Sequence, residues 1–168
     1  MSHPVELYLV RHAIAAPRGD DWPDDDKRPL TARGVSRFKE AVEGLRRLGV
    51  GIDEIFTSPL VRARQTADLL AAGLPGTPVV RTLDALAPGH EPRSVLAQLA
   101  RAARRRRVAL VGHEPGLGEL AAHLIGAGRA LPFKKGGVCR IEVESLTSRR
   151  AGALTWFVPP KLLRGLSP

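Results

Sequence analysis

The sequence predicts an α/β protein, a three-layer α/β/α arrangement with a mainly parallel central sheet. Two stretches carry that prediction. Val5–Val10 is a short, mostly apolar run that leads straight into Arg11 and His12, and Val108–His113 is a second apolar run ending in a histidine. Strands this apolar need cover on both faces, and the helical segments between them supply it. In such a sheet ligands gather in the crevice beyond the carboxyl ends of the strands. Both histidines then fall at one edge.

The elements follow in order. Arg11–Pro29 reads as a surface loop, with prolines at 17, 23 and 29 and the acids Asp20, Asp21, Asp24, Asp25 and Asp26. Those acids are expected to be solvated; the sharper reading has them screening an arginine-rich pocket or contacting a basic partner. Thr31 is the expected N-cap of a first helix with Phe38, Ala41, Val42, Leu45 and Leu48 at helical spacing and Gly49 as its stop. Ile52–Thr57 reads as a strand, and Leu60–Ala72 as a helix that places Arg62 in its first turn. Free N–H groups and a fork of arginine donors would meet there. Pro78–Thr82 is a short strand, Leu83–Pro92 a loop carrying Asp84, His90 and Glu91, and Arg93–Arg104 a helix closed by the Arg104–Arg107 run. After the strand at Val108, Pro115 suits the first position of a helix with Leu117, Leu120, Ala121, Leu124 and Ile125 as its stripe. Lys134–Gly137 reads as a turn, Val138–Val143 and Ala153–Val158 as a hairpin, and the tail from Pro159 as irregular.

With 168 residues, the chain is expected to form one domain over 1–168 with a substantial core. A single cysteine, Cys139, excludes an internal disulfide and a thiolate-rich metal site. The N-terminus M-S-H-P-V shows no signal-peptide pattern, and no apolar run approaches the ~20 residues of a membrane span. A cytoplasmic protein without membrane contact is expected. The formal charge of +9 could attract nucleic acid, acidic lipid or phosphorylated ligands. The basic residues are scattered, however, and aromatic stacking platforms are scarce, so nucleic acid is not an expected partner.

Three motifs then carry a family resemblance: R-H-A at 11–13, S-P-L-V-R-A-R-Q-T at 58–66 and G-H-E-P at 112–115. Together they resemble the histidine phosphatase superfamily, whose fold is phosphoglycerate mutase-like. Ala13 stands where that family usually has glycine. The compact length, R-P-L-T at 28–31 and F-K-K-G-G at 133–137 resemble its small SixA branch, the phosphohistidine phosphatases.

The residues suit the chemistry. Phosphoryl transfer needs charge stabilisation at the equatorial oxygens and a nucleophile held in line. Arginine forks match phosphate oxygens, so Arg11 and Arg62 are the expected clamp. The resemblance makes His12 the nucleophile that carries a phosphoryl group, and His113 a donor to that group. It also places Arg28 near the phosphate. Nearby arginines disfavour protonated His12 and keep a lone pair available. No metal and no cofactor is expected. A general acid is less well marked: Asp84 is the positional candidate and Glu114 the fallback, and each also reads as a turn or capping residue. Without an acid, a good leaving group such as the imidazole of phosphohistidine is favoured. The expected partner is a phosphorylated protein or a small phosphorylated metabolite. The rivals are a small-molecule phosphomonoesterase of the same superfamily, a non-catalytic phosphate-binding module, and a nucleic-acid binder resting on charge alone. His3, His90 and His123 have no comparable context.

Overall fold

Successive residues of each central strand face opposite layers, and both layers are apolar. The computed structural model describes residues 3–167, and its elements are β1 (Val5–Arg11), α1 (Ala32–Arg47), β2 (Glu54–Thr57), α2 (Val61–Gly73), β3 (Val79–Thr82), α3 (Pro92–Ala102), β4 (Arg107–Gly112), α4 (Gly116–Ile125), β5 (Val138–Val143), β6 (Ala153–Val158) and α5 (Pro160–Arg164). One sheet runs in the order β3-β2-β4-β1-β5-β6. Its first four strands are parallel, and β5 and β6 add an antiparallel hairpin at one side. This is the expected mainly parallel α/β fold.

Tyr8 and Val10 of β1, Ile55 of β2 and Ala109 and Val111 of β4 pack with Phe38, Ala41, Val42 and Leu45 of α1 and Ala63, Ala67 and Leu70 of α2. On the opposite face Leu7, Leu9, Phe56, Val108 and Leu110 meet Val95 and Leu99 of α3 and Leu117, Leu120 and Leu124 of α4. The period of two in the strands and the helical period in the covers therefore divide the core into two layers. Thr31 caps α1 as expected, its Oγ1 accepting the Gly34 N–H at 2.9 Å. Cys139 is fully buried, and burial pushes its thiol up to about 12. No helix among the described residues is long and apolar enough to cross a membrane.

Three expectations are corrected. The tail from Pro159 is not irregular: Pro160–Arg164 forms α5, whose buried Leu163 packs on α1. That helix is too short for periodicity to show. The arginine run does not close α3, which ends at Ala102. Instead the N–H groups of Arg104 and Arg105 donate to the Glu54 carboxylate at 2.8 and 3.0 Å, and Arg107 opens β4 in a two-bond fork on Asp53. Pro115 precedes α4 as its N-cap residue rather than opening the helix. A further correction, to the acidic loop, concerns the pocket and is described with it.

Candidate active site

β1 and β4 lie side by side, with Arg11 opposite Gly112 in parallel register. The next residue of each strand is a histidine, so both leave the sheet at the same point. The His12 N–H still donates to the Gly112 carbonyl at 3.0 Å. The two rings lie 5.1 Å apart, centroid to centroid, with their planes inclined by 54°.

Three other segments close around them. The start of α2 supplies Arg62, 2 % exposed although it is charged. The loop after β1 is brought back by a bridge between Ala15 and Leu30, which sets Arg18 and Arg28 above the histidines. The turn before β5 is tied to the end of β1: the Gly136 N–H donates to the carbonyls of Arg11 and His12, both at 3.1 Å. Gly136 has φ +81, in the left-handed region that glycine adopts without strain, and its neighbour Lys135 reaches the pocket. The pocket has a volume of about 660 Å³, with Arg11, Arg18, Arg28, Arg62, Lys135, both histidines and Glu114 among its lining.

The protonation states follow from this setting. Burial, reinforced by Arg62, Arg11 and Lys135, lowers His12 to about 4, against a weaker upward pull from the Ala13 carbonyl. Burial also lowers His113 to about 3, with His12 and Arg62 adding to it. Both rings are therefore neutral near pH 7. The Ala13 carbonyl, 2.7 Å from His12 Nδ1, can only accept, so Nδ1 carries the proton and Nε2 keeps the lone pair. Burial pushes Glu114 upward, against Arg11 and the Gly118 N–H, which donates to its Oε1 at 3.1 Å.

The acidic loop is not simply solvated, because Asp25 is turned inward. Its Oδ2 accepts from Arg62 at 3.0 Å, and its Oδ1 accepts from Arg28 at 3.0 Å and pairs with Arg18 at 3.3 Å. Its carbonyl takes a further bond from Arg62 at 2.7 Å. One of the five acids thus holds three of the arginines of the pocket, which is the screening reading, while Asp20, Asp21, Asp24 and Asp26 are exposed.

The fold brings Arg11, His12, Arg28, Arg62, His113 and Glu114 together as the sequence suggests. Asp84 is not among them; it opens a short 3-10 turn, Asp84–Leu86, and is exposed. Sequence reasoning passed over Lys135 and Arg18 at the pocket and two buried hydroxyls, and it did not single out Asp25 from the other acids of its loop. The Thr66 Oγ1 accepts the Ala13 N–H at 3.0 Å and donates to the Arg62 carbonyl at 2.7 Å, which links two motifs. The Ser58 Oγ lies 2.8 Å from His113 Nε2. Ser58, Thr66 and Lys135 were inside quoted motifs; their polar side chains were the available signal.

Comparison with known proteins bears on the family and the fold. The model of the histidine phosphatase superfamily (branch 1) matches residues 7–87. An uncharacterized protein of Picosynechococcus sp. is 44 % identical over 167 residues, which is 92 % of this chain and all of the relative. Phosphohistidine phosphatase SixA of Escherichia coli is 24 % identical over 158 residues, 93 % of this chain and 94 % of SixA. A solved structure of SixA complexed with tungstate superposes with a TM-score of 0.82, at 24 % identity over 94 % of this chain and 99 % of that one. A mycobacterial glucosyl-3-phosphoglycerate phosphatase shares the fold at a TM-score of 0.66, with 18 % identity over 94 % of this chain and all of that one. The order of its motifs, the sheet that gathers them and these matches together show that the chain belongs to the histidine phosphatase superfamily, with a fold like that of SixA.

Proposed function

We propose that the protein is a metal-independent phosphatase that works through phospho-His12 and acts on phosphohistidine borne by a signalling or phosphotransfer protein. The observation that carries this reading is a neutral, paired set of histidines on the wall of a pocket lined by four arginines and Lys135. A phosphoryl group arriving there meets guanidinium forks from Arg11 and Arg62, with Arg28 beside them. His12 Nε2 offers its lone pair to phosphorus. The new N–P bond forms as the bond to the leaving group breaks, and the departing atom takes the electron pair and then a proton. Water next attacks the phosphorus of phospho-His12, loses a proton, and returns the electron pair to Nε2 as inorganic phosphate leaves. The cations and the Nδ1 or Nε2 hydrogen of His113 meet the oxygen charge in both steps, so the site fits the reaction without a metal ion. The tungstate held by SixA is, like phosphate, a tetrahedral oxyanion.

A second reading, a small-molecule phosphomonoesterase, is favoured by one observation: Glu114 lines the pocket, and burial raises its carboxyl toward the protonated form. An ester oxygen needs such a proton more than an imidazole does. The experiment is turnover with metal chelated, on a phosphohistidine-bearing protein beside a panel of phosphate esters, with acid-labile phosphate on the enzyme trapped by rapid quench. Faster release from phosphohistidine, and trapped phosphate that vanishes in His12→Ala, are expected. Preference for an ester supports the second reading. A His12→Ala enzyme that still turns over removes the nucleophile.

A further inference from the structure

His113 has two ring nitrogens, and only one of them has a partner. Nε2 lies 2.8 Å from Ser58 Oγ, while Nδ1 is buried without a hydrogen-bond partner among the described residues. Ser58 is itself fully buried. Its place is fixed from both sides: its backbone N–H donates to the Val111 carbonyl at 3.0 Å, and its Oγ accepts the Leu60 N–H at 3.2 Å. The hydroxyl therefore sits at the junction of β2, α2 and the residue that follows β4.

Two proton arrangements satisfy the 2.8 Å contact. If Nε2–H donates to Ser58, then among the described residues the serine hydrogen has no acceptor within reach, and Nδ1 is a lone pair with no donor. Two buried polar groups are then unsatisfied. If instead the serine O–H donates to Nε2, the oxygen still accepts from Leu60, and the only unsatisfied group is Nδ1–H. A buried hydroxyl with its donor unused is costly, so the second arrangement is favoured. It is also the one suited to an anion. Phosphoryl oxygens only accept, and a neutral imidazole presenting Nδ1–H offers them a donor; a lone pair there would repel them.

We infer that Ser58 is a positioning residue that, through its hydroxyl hydrogen bond to Nε2, holds His113 as the Nδ1–H tautomer and so keeps a donor ready for the phosphoryl group. Ser58 touches no substrate and acts entirely through His113. This gives the serine of S-P-L-V-R a task separate from starting α2. The inference rests on the proposed phosphatase reading for its consequence, though not for the tautomer itself.

The test separates the two. Nitrogen-15 NMR of histidine-labelled protein near pH 7, without substrate, reads which ring nitrogen of His113 is protonated. A protonated Nδ1 and a bare Nε2 are expected in the wild type, and Ser58→Ala is expected to lose that preference. In turnover assays Ser58→Ala should lower kcat by about ten- to hundredfold, the scale seen when a partner orienting a histidine is lost, with KM changed far less. Ser58→Thr, which keeps the hydroxyl, should recover much of both signals. A wild-type His113 protonated at Nε2 overturns the inference whatever the activity, and so does a tautomer unmoved by Ser58→Ala. Absence of phosphatase activity in a wild type that shows the Nδ1–H tautomer overturns the functional reading instead.

Discussion

His12 and His113 follow directly on neighbouring parallel strands, and their rings stand 5.1 Å apart at the end of the sheet. Burial lowers both rings, His12 adds to the lowering of His113, and Arg62 and Arg11 act on each in the same sense. The pair is thus a neutral couple beside a strongly positive surface, which suits a nucleophile and a donor facing one anion.

The first prediction concerns pH. Turnover limited by the lone pair of His12 should persist from about 6.5, the ordinary histidine value, down toward about 4. Stability has a matching sign. The unfolded chain protonates these rings near their ordinary value, whereas the folded chain resists until about 4 for His12 and about 3 for His113. The unfolded state binds more protons in that window, so their contribution to stability is fully present above it and is lost as pH falls through it. Melting temperature against pH should fall less steeply in a His12→Asn, His113→Asn double variant. An equal slope would show that the rings are not held neutral.

Arg62 is expected to carry a large share of the charge stabilisation. Arg62→Ala should cost roughly 3 kcal/mol in kcat/KM, the scale of removing one such donor. Arg62→Lys should recover little, because a single ammonium cannot reproduce the fork that now holds both the carbonyl and the carboxylate of Asp25. Steady-state kinetics of the two variants reads this directly.

Glu114 distinguishes the leaving groups. Glu114→Gln removes a proton source but keeps the shape and the acceptor for the Gly118 N–H. Ester turnover should drop by about a hundredfold, the usual worth of a general acid, with phosphohistidine turnover changed little. Equal losses on both substrates would make the residue structural.

Gly34 is a packing prediction. A Cβ there would run into the backbone carbonyl of Ile14, which lies just beyond His12 and Ala13 and accepts the Thr31 N–H at 3.0 Å. Gly34→Ala should destabilise the protein by about 1–3 kcal/mol, as overpacking does, despite the better helix propensity of alanine. Urea unfolding measures it, and a neutral result would mean that the Ile14 carbonyl moves freely.

Much of this site was legible because its chemistry stands at element ends. Apolar strands that stop at His12 and His113, and Arg62 at a helix start, mark one sheet edge in the sequence itself. What escaped was selection among equals. Nothing along the chain separates Asp25 from the four other acids of its loop, since the Ala15–Leu30 bridge decides which one faces the arginines. Asp84 illustrates the converse: a place in the chain order does not aim a side chain, and the short turn at 84–86 leaves it in solvent. Ser58 and Thr66 were read as parts of motifs, and their hydrogen bonds cross motif boundaries. The five residues of α5 span barely more than one turn, so packing on α1 rather than local pattern defines them.

The placement of β1 has a consequence for how the protein comes into being. Its two neighbours in the sheet are β4 and β5, so Glu6 pairs with Arg107 and with Glu142. Contacts of such long sequence separation form late and slowly. During synthesis the first strand must wait for about a hundred residues to follow before either neighbour exists. His12 then has no companion, and Gly136 has not yet arrived to donate its N–H to the carbonyls at the end of that strand. A partly made chain therefore carries His12 without the pocket, and the candidate site is assembled only when the sheet is nearly complete.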